Sequence, residues 1–128
     1  MSIWWRRIAL VYGILGTVAI GLGIAGAVML DDFAAYYELP RTSTLEVQAN
    51  AVHLLLTVGG AIGAAVAWYR LERERFGLWV FVASQLLGVG AVAAAGFFTH
   101  GPSMVAGTIP ALLFPGALAV ALLRTSPE

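Results

Sequence analysis

The chain has 128 residues, 60% of them hydrophobic and only 11% charged, with seven acidic residues balanced by seven basic ones. Soluble domains carry about a quarter charged residues, so an ordinary soluble domain is excluded, and the neutral balance points to no nucleic-acid partner. There is no cysteine and no lysine, which removes disulfides, thiolate metal sites and any lysine Schiff base or nucleophile.

A membrane-spanning helix needs about 20 consecutive, mostly apolar residues. The first such run, residues 8–30, follows Arg6 and Arg7. It is too long for the apolar region of a signal peptide and three more runs follow, so it is expected to be retained. The connection after it, residues 31–48, reads DDFAAYYELPRTSTLEVQ. Asp31 or Asp32 can cap a short helix with Phe33, Tyr36 and Tyr37 on one face, lying in the membrane interface and stopped by Pro40. Ser43 and Glu46 have capping-box spacing, which starts the next helix near Thr44.

The second run, residues 49–69, contains His53, the one titratable group inside any run except Tyr12 and Tyr69 near the inner ends. RLERER follows at residues 70–75, where Arg70 with Glu74 and Glu72 with Arg75 stand at helical neighbour spacing and would form a solvated cap on a tight hairpin. The third run covers residues 76–98. In the HGPS stretch beyond it, Gly101 and Pro102 should leave the helix, and Ser103 should cap the next. The fourth run, residues 104–123, holds Pro110 and Pro115. Each removes a backbone donor and frees a carbonyl one turn earlier, at Ala106 and Ala111.

Arg6, Arg7, Arg70, Arg73, Arg75 and Arg124 fall on one side of this threading and Arg41 alone on the other. Basic residues mark the cytoplasmic side, so both termini are expected in the cytoplasm. Trp4, Trp5, Trp68 and Trp79 at the inner boundary, with Phe33, Tyr36, Tyr37, Phe97 and Phe98 at the outer one, agree with that orientation. The expected fold is a single-domain, all-α integral membrane protein of the plasma membrane, an antiparallel four-helix transmembrane bundle. Its second and third helices should be the tightest pair. Close packing in lipid relies on small residues, here Gly16, Gly23, Gly59, Gly63, Ser84, Gly88, Ala91, Ala95 and Gly96, with Gly59 and Gly63 forming a GxxxG pair.

No Asp, Glu, Lys or Arg lies inside a run, which argues against a proton-coupled pump. The first run lacks the glutamate of the small multidrug resistance exporters, and the third lacks the Gly/Thr/Phe-rich motif of the fluoride channels. The polar residues within the runs are mild: Thr17, Thr57, Ser84 and Gln85, with Gln85 suited to an interhelical hydrogen bond. His53, His100, Met29 and Met104 each sit toward the outer end of a different helix. Imidazole and thioether suit copper, and two histidines could hold haem b, with Asp31, Asp32 and Glu46 near in depth. The competing reading makes His100 a turn residue and His53 a boundary residue bonded to a neighbouring helix or to the outer loop.

Three functions are compatible with these residues. The leading one is a non-catalytic accessory or scaffold subunit, or a homo-oligomer, with no resident cofactor. The second is a small transporter or channel around the Pro-kinked fourth run. The third is a copper- or haem-binding redox protein using the outer histidines. Partners follow from the first: the lipid bilayer, and a second copy or a larger membrane complex.

Overall fold

A computed structural model describes residues 3–37 and 44–124. Among them every element is helical: α1 (Ile3–Tyr36), α2 (Thr44–Tyr69), α3 (Glu74–His100), α4 (Pro102–Ala106) and α5 (Ile109–Arg124). Three helices are long and apolar enough to cross a membrane, over Trp4–Leu30, Thr44–Tyr69 and Glu74–His100. At ~1.5 Å rise per residue, the 26 residues of α2 reach about 39 Å, beyond a hydrocarbon core of ~30 Å.

Four of the expected features are corrected. First, α1 does not end at Leu30 but runs on to Tyr36. An N-cap needs a non-helical backbone, and nothing before Asp31 breaks the helix, so no separate interfacial helix forms there. The side chains of Asp31, Asp32 and Phe33, and the whole of Pro40, Arg41 and Ser43, lie outside the described residues. The start of α2 at Thr44 is as expected.

Second, RLERER is not helical throughout. The Arg70 and Leu71 N–H groups both donate to Val66 O, at 2.9 and 3.1 Å, and Arg73 N–H donates to Ala67 O at 2.8 Å. Glu72 turns the chain with φ 54°. Glu74 then opens α3 and reaches Arg6 of α1 at 3.4 Å, where helical spacing would have offered it Arg70. Trp68 closes this turn from inside: it is 3% exposed, donates Nε1–H to Glu74 O at 3.1 Å and packs on Gly77. It is a core residue.

Third, Ser103 does not cap the helix after HGPS. Gly101 takes φ 87°, which a glycine adopts without steric cost, donates its N–H to Phe97 O at 2.9 Å, and precedes Pro102 at the first position of α4. Ser103 is one residue inside α4.

Fourth, residues 104–123 do not form one helix. The run breaks at Gly107 and Thr108 into α4 and α5. The break puts Pro110 in the first turn of α5, where a missing N–H costs nothing. Thr108 stitches the break, with N–H and Oγ1 both donating to Val105 O, at 3.0 and 2.7 Å. The 16 residues of α5 reach about 24 Å, less than a full hydrocarbon core.

The pair α2–α3 makes the largest helix contact, as expected, while α1 touches α3 only lightly. Along their seam His53 lies against Gly88, Gly60 against Ser84, Gly63 against Val80, and Trp68 with Ala64 O against Gly77. Numbers fall on one helix as they rise on the other, so the two run in opposite directions. The seam residues of α2 at 53, 57, 60 and 64 keep the 3–4 spacing of interlocked helices. Gly59 faces open space.

Core packing is concentrated toward the arginine-bearing end. Ala9, Ala64, Trp68, Leu78, Phe81, Val82, Leu118 and Leu122 form one buried cluster. Tyr12, Phe81 and Phe114 link α1, α3 and α5 as a three-ring group, with centroid separations of 4.9 to 6.1 Å. Arg75 adds a hydrogen bond from Nη2 to Leu122 O at 2.8 Å, near the end of α5. Beyond Thr17, α1 is largely exposed: Val18, Leu22, Val28, Met29 and Leu30 all face outward.

Candidate functional site

The α2 seam is polar in its first half. Glu46, Asn50, His53 and Thr57 follow one another at i, i+4, i+7 and i+11, the spacing of one helix face. At the bottom of this stripe, the buried Gln85 donates Nε2–H to Thr57 Oγ1 at 3.0 Å. Gln85 therefore makes the interhelical bond expected of it, and His53 packs on Gly88. Below Thr57 the seam becomes Gly60, Ala64 and Trp68, and the polar stripe ends.

At the top of the stripe, Glu46 Oε1 accepts from His100 Nε2 at 2.5 Å and from Thr99 Oγ1 at 2.7 Å. Thr99 Oγ1 is also 2.8 Å from Ala95 O, and its single proton is better spent on the charged acceptor. Asn50 donates Nδ2–H to the Glu46 backbone O at 2.9 Å. These bonds tie the ends of α2 and α3 together. Next to them a cavity of about 140 Å³ is lined by Glu46, Asn50, Val92, Gly96, Met104 and Thr108. Its floor is α2 and α3; its lid is α4 and the helix break.

No protein family, curated protein or solved structure matches this chain.

The four proposed metal ligands are not gathered into one place. His100 and Met104 come to the Glu46 corner, one bonded to that carboxylate and the other lining the cavity beside it. His53 packs on Gly88, twelve positions from His100 along α3 and so about 18 Å away along its axis. Met29 lies on α1 with its side chain exposed. Among the described residues, no group of three or more His, Cys, Asp or Glu side chains is placed to hold a metal ion.

The other candidate polar residues are all engaged. Thr17 Oγ1 donates back to Gly13 O at 2.7 Å within its own helix, and Ser84 Oγ does the same to Phe81 O at 2.8 Å. Pro115 is inside α5 and buried. The carbonyl it frees, Ala111 O, accepts Tyr12 O–H at 2.9 Å from α1. Local sequence anticipates the free carbonyl but not its donor, 99 residues away. Asn50 stands in the even spacing of Glu46, Asn50, His53 and Thr57, which is a sequence signal for it; Thr99, on α3, has none.

Proposed function

We propose that this is a small polytopic membrane protein of the plasma membrane, an antiparallel four-span bundle with both termini in the cytoplasm. In this reading α4 and α5 together make the fourth crossing, and the protein serves as a non-catalytic accessory or scaffold subunit. The observation that carries it is the dead end of the polar stripe. Thr57 and Gln85 satisfy each other at mid-bundle, and the apolar cluster of Ala64, Trp68, Leu78, Phe81 and Val82 fills the space beyond them. A transporter or channel built on the broken helix would use its freed carbonyls as ion ligands. Here Tyr12 already donates to Ala111 O, the carbonyl that Pro115 frees, and Thr108 bonds Val105 O across the break. The exposed apolar length of α1 offers the surface that a partner subunit or a second copy would cover.

The orientation rests on the arginines, with Arg6, Arg75 and Arg124 at the end of the bundle where α1 begins and α5 finishes. Native mass spectrometry of the protein released gently from its own membranes tests the function. Extra chains, or a defined homo-oligomer, are expected. A lone monomer that conducts ions in proteoliposomes would overturn the reading in favour of transport.

A further inference from the structure

The cavity beneath α4 is more specific than a packing gap. The polar residues that line it all carry acceptors: the Glu46 carboxylate, the Asn50 amide oxygen, the Thr108 hydroxyl and the Met104 thioether. Both bonds that hold Glu46 in place fall on Oε1, so neither uses the second carboxylate oxygen. Val92, Gly96 and the Met104 methylenes give the remaining wall an apolar character. At ~30 Å³ per water molecule, 140 Å³ is room for about four or five heavy atoms.

A hard metal ion fits this lining poorly. Calcium takes 6–8 oxygen ligands and magnesium a near-ideal octahedron, whereas most of this wall is apolar. An anion would meet a carboxylate. A short ammonium ion meets both demands: its N–H groups match the acceptors, its charge matches Glu46, and its carbons match Val92 and Met104. We propose that this cavity is a binding site for a primary ammonium group on a short alkyl chain, held by Glu46 with Asn50 and Thr108. Because Met104 and Thr108 belong to the lid, occupancy clamps α4 onto α2 and α3. The inference concerns this end of the bundle and stands whether or not the protein is an accessory subunit.

The probe is n-propylammonium, titrated by calorimetry into the full chain in detergent, with n-propanol and propionate as neutral and anionic controls of equal size. Saturable one-to-one binding is expected for propylammonium alone. Glu46→Gln keeps an acceptor for Thr99 and His100 but removes the charge, and should weaken binding by at least about tenfold, or ~1.4 kcal/mol. Gly96→Val should weaken it similarly without touching the carboxylate, since a Cβ at that position already lies 3.3 Å from Met104 Cβ. Should Gly96→Val fail to fold, Glu46→Gln decides alone. Equal binding of propanol, absence of saturation, or unchanged affinity in Glu46→Gln would overturn the proposal. The ammonium could belong to a soluble amine or to a lipid headgroup. Repeating the titration in nanodiscs separates these: competition by phosphatidylethanolamine but not phosphatidylcholine assigns the lipid, and no competition by either assigns the soluble amine.

Discussion

Adjacent glycines on α2 should respond in opposite ways to the same substitution. A Cβ at Gly60 would overlap Ser84 Oγ and come 2.5 Å from Ser84 Cβ, while a Cβ at Gly59 meets nothing within 4 Å. Both changes to alanine gain the same helix propensity, about 0.8–1 kcal/mol. Gly59→Ala should therefore stabilise the protein by up to about that amount. Gly60→Ala must also force α2 from α3 at its tightest point, and overpacking costs about 1–3 kcal/mol. Because the propensity gain cancels between the two variants, their difference isolates the packing cost, expected at about 1–3 kcal/mol.

Ser84→Gly provides the internal control. With that side chain gone, the nearest atom to a Cβ at position 60 is Val80 O at 3.8 Å, ordinary van der Waals contact. Gly60→Ala should then lose most of its cost in the Ser84→Gly background, a coupling of about 1–3 kcal/mol across the double-mutant cycle. Unfolding by sodium dodecyl sulfate in mixed micelles, followed by the fluorescence of the buried Trp68 and its neighbours, reads all four stabilities. If Gly59→Ala proves the costlier change, or if the cycle is additive, the seam is not where the structure has it. The GxxxG reading of Gly59 with Gly63 would then stand.

Tyr12→Phe should cost about 1 kcal/mol by leaving Ala111 O without its donor, and little in a Pro115→Ala background, where a backbone N–H returns one turn below; additive losses in the same unfolding assay would count against this. Gln85→Leu should cost about 0.6–1.7 kcal/mol by stranding Thr57, and adding Thr57→Val should recover part of that; a double variant no more stable than Gln85→Leu would refute the pairing. Replacing Arg6, Arg7, Arg70, Arg73, Arg75 and Arg124 by serine should scramble membrane orientation. Single cysteines, introduced freely because the chain has none, report it by accessibility, and a native pattern in that variant would sink the argument from charge.

The pairing of α2 with α3 was legible from their small residues, but the face was not. Two overlapping rows of small residues, Gly59 with Gly63 and Gly60 with Ala64, satisfy the same motif. Only the second continues upward into Thr57, His53, Asn50 and Glu46, and that continuation separates them. The turn at Gly101 was legible because local chemistry dictates it. The break before α5 was half legible: Pro110 had to be accommodated, yet whether by a kink or by a new helix start depends on Thr108 and the α2–α3 surface beneath it. Long-range partners were not legible at all. Nothing near Tyr12 announces Ala111, and nothing near Arg6 announces Glu74, because those contacts are decided by how the helices rotate.

That rotation explains why the two ends of the bundle are held differently. Lipid gives helices no hydrophobic reason to associate, so cohesion must come from close packing or from polar bonds. Toward the arginines, packing supplies it: Phe81, Leu78, Leu118 and Leu122 are fully buried, and Gly77 lets Trp68 close the turn. Toward the other end α1 is exposed and the apolar cluster has run out, and there the helix ends are joined by Glu46 to Thr99 and His100. An end secured by a few hydrogen bonds around a small cavity opens at lower cost than one secured by a dry core. Glu46→Gln should accordingly leave the unfolding of the arginine end nearly unchanged while speeding hydrogen exchange at the last turn of α3. Protection factors measured residue by residue test this, and a uniform loss across α2 and α3 would mean that the two ends form one cooperative unit.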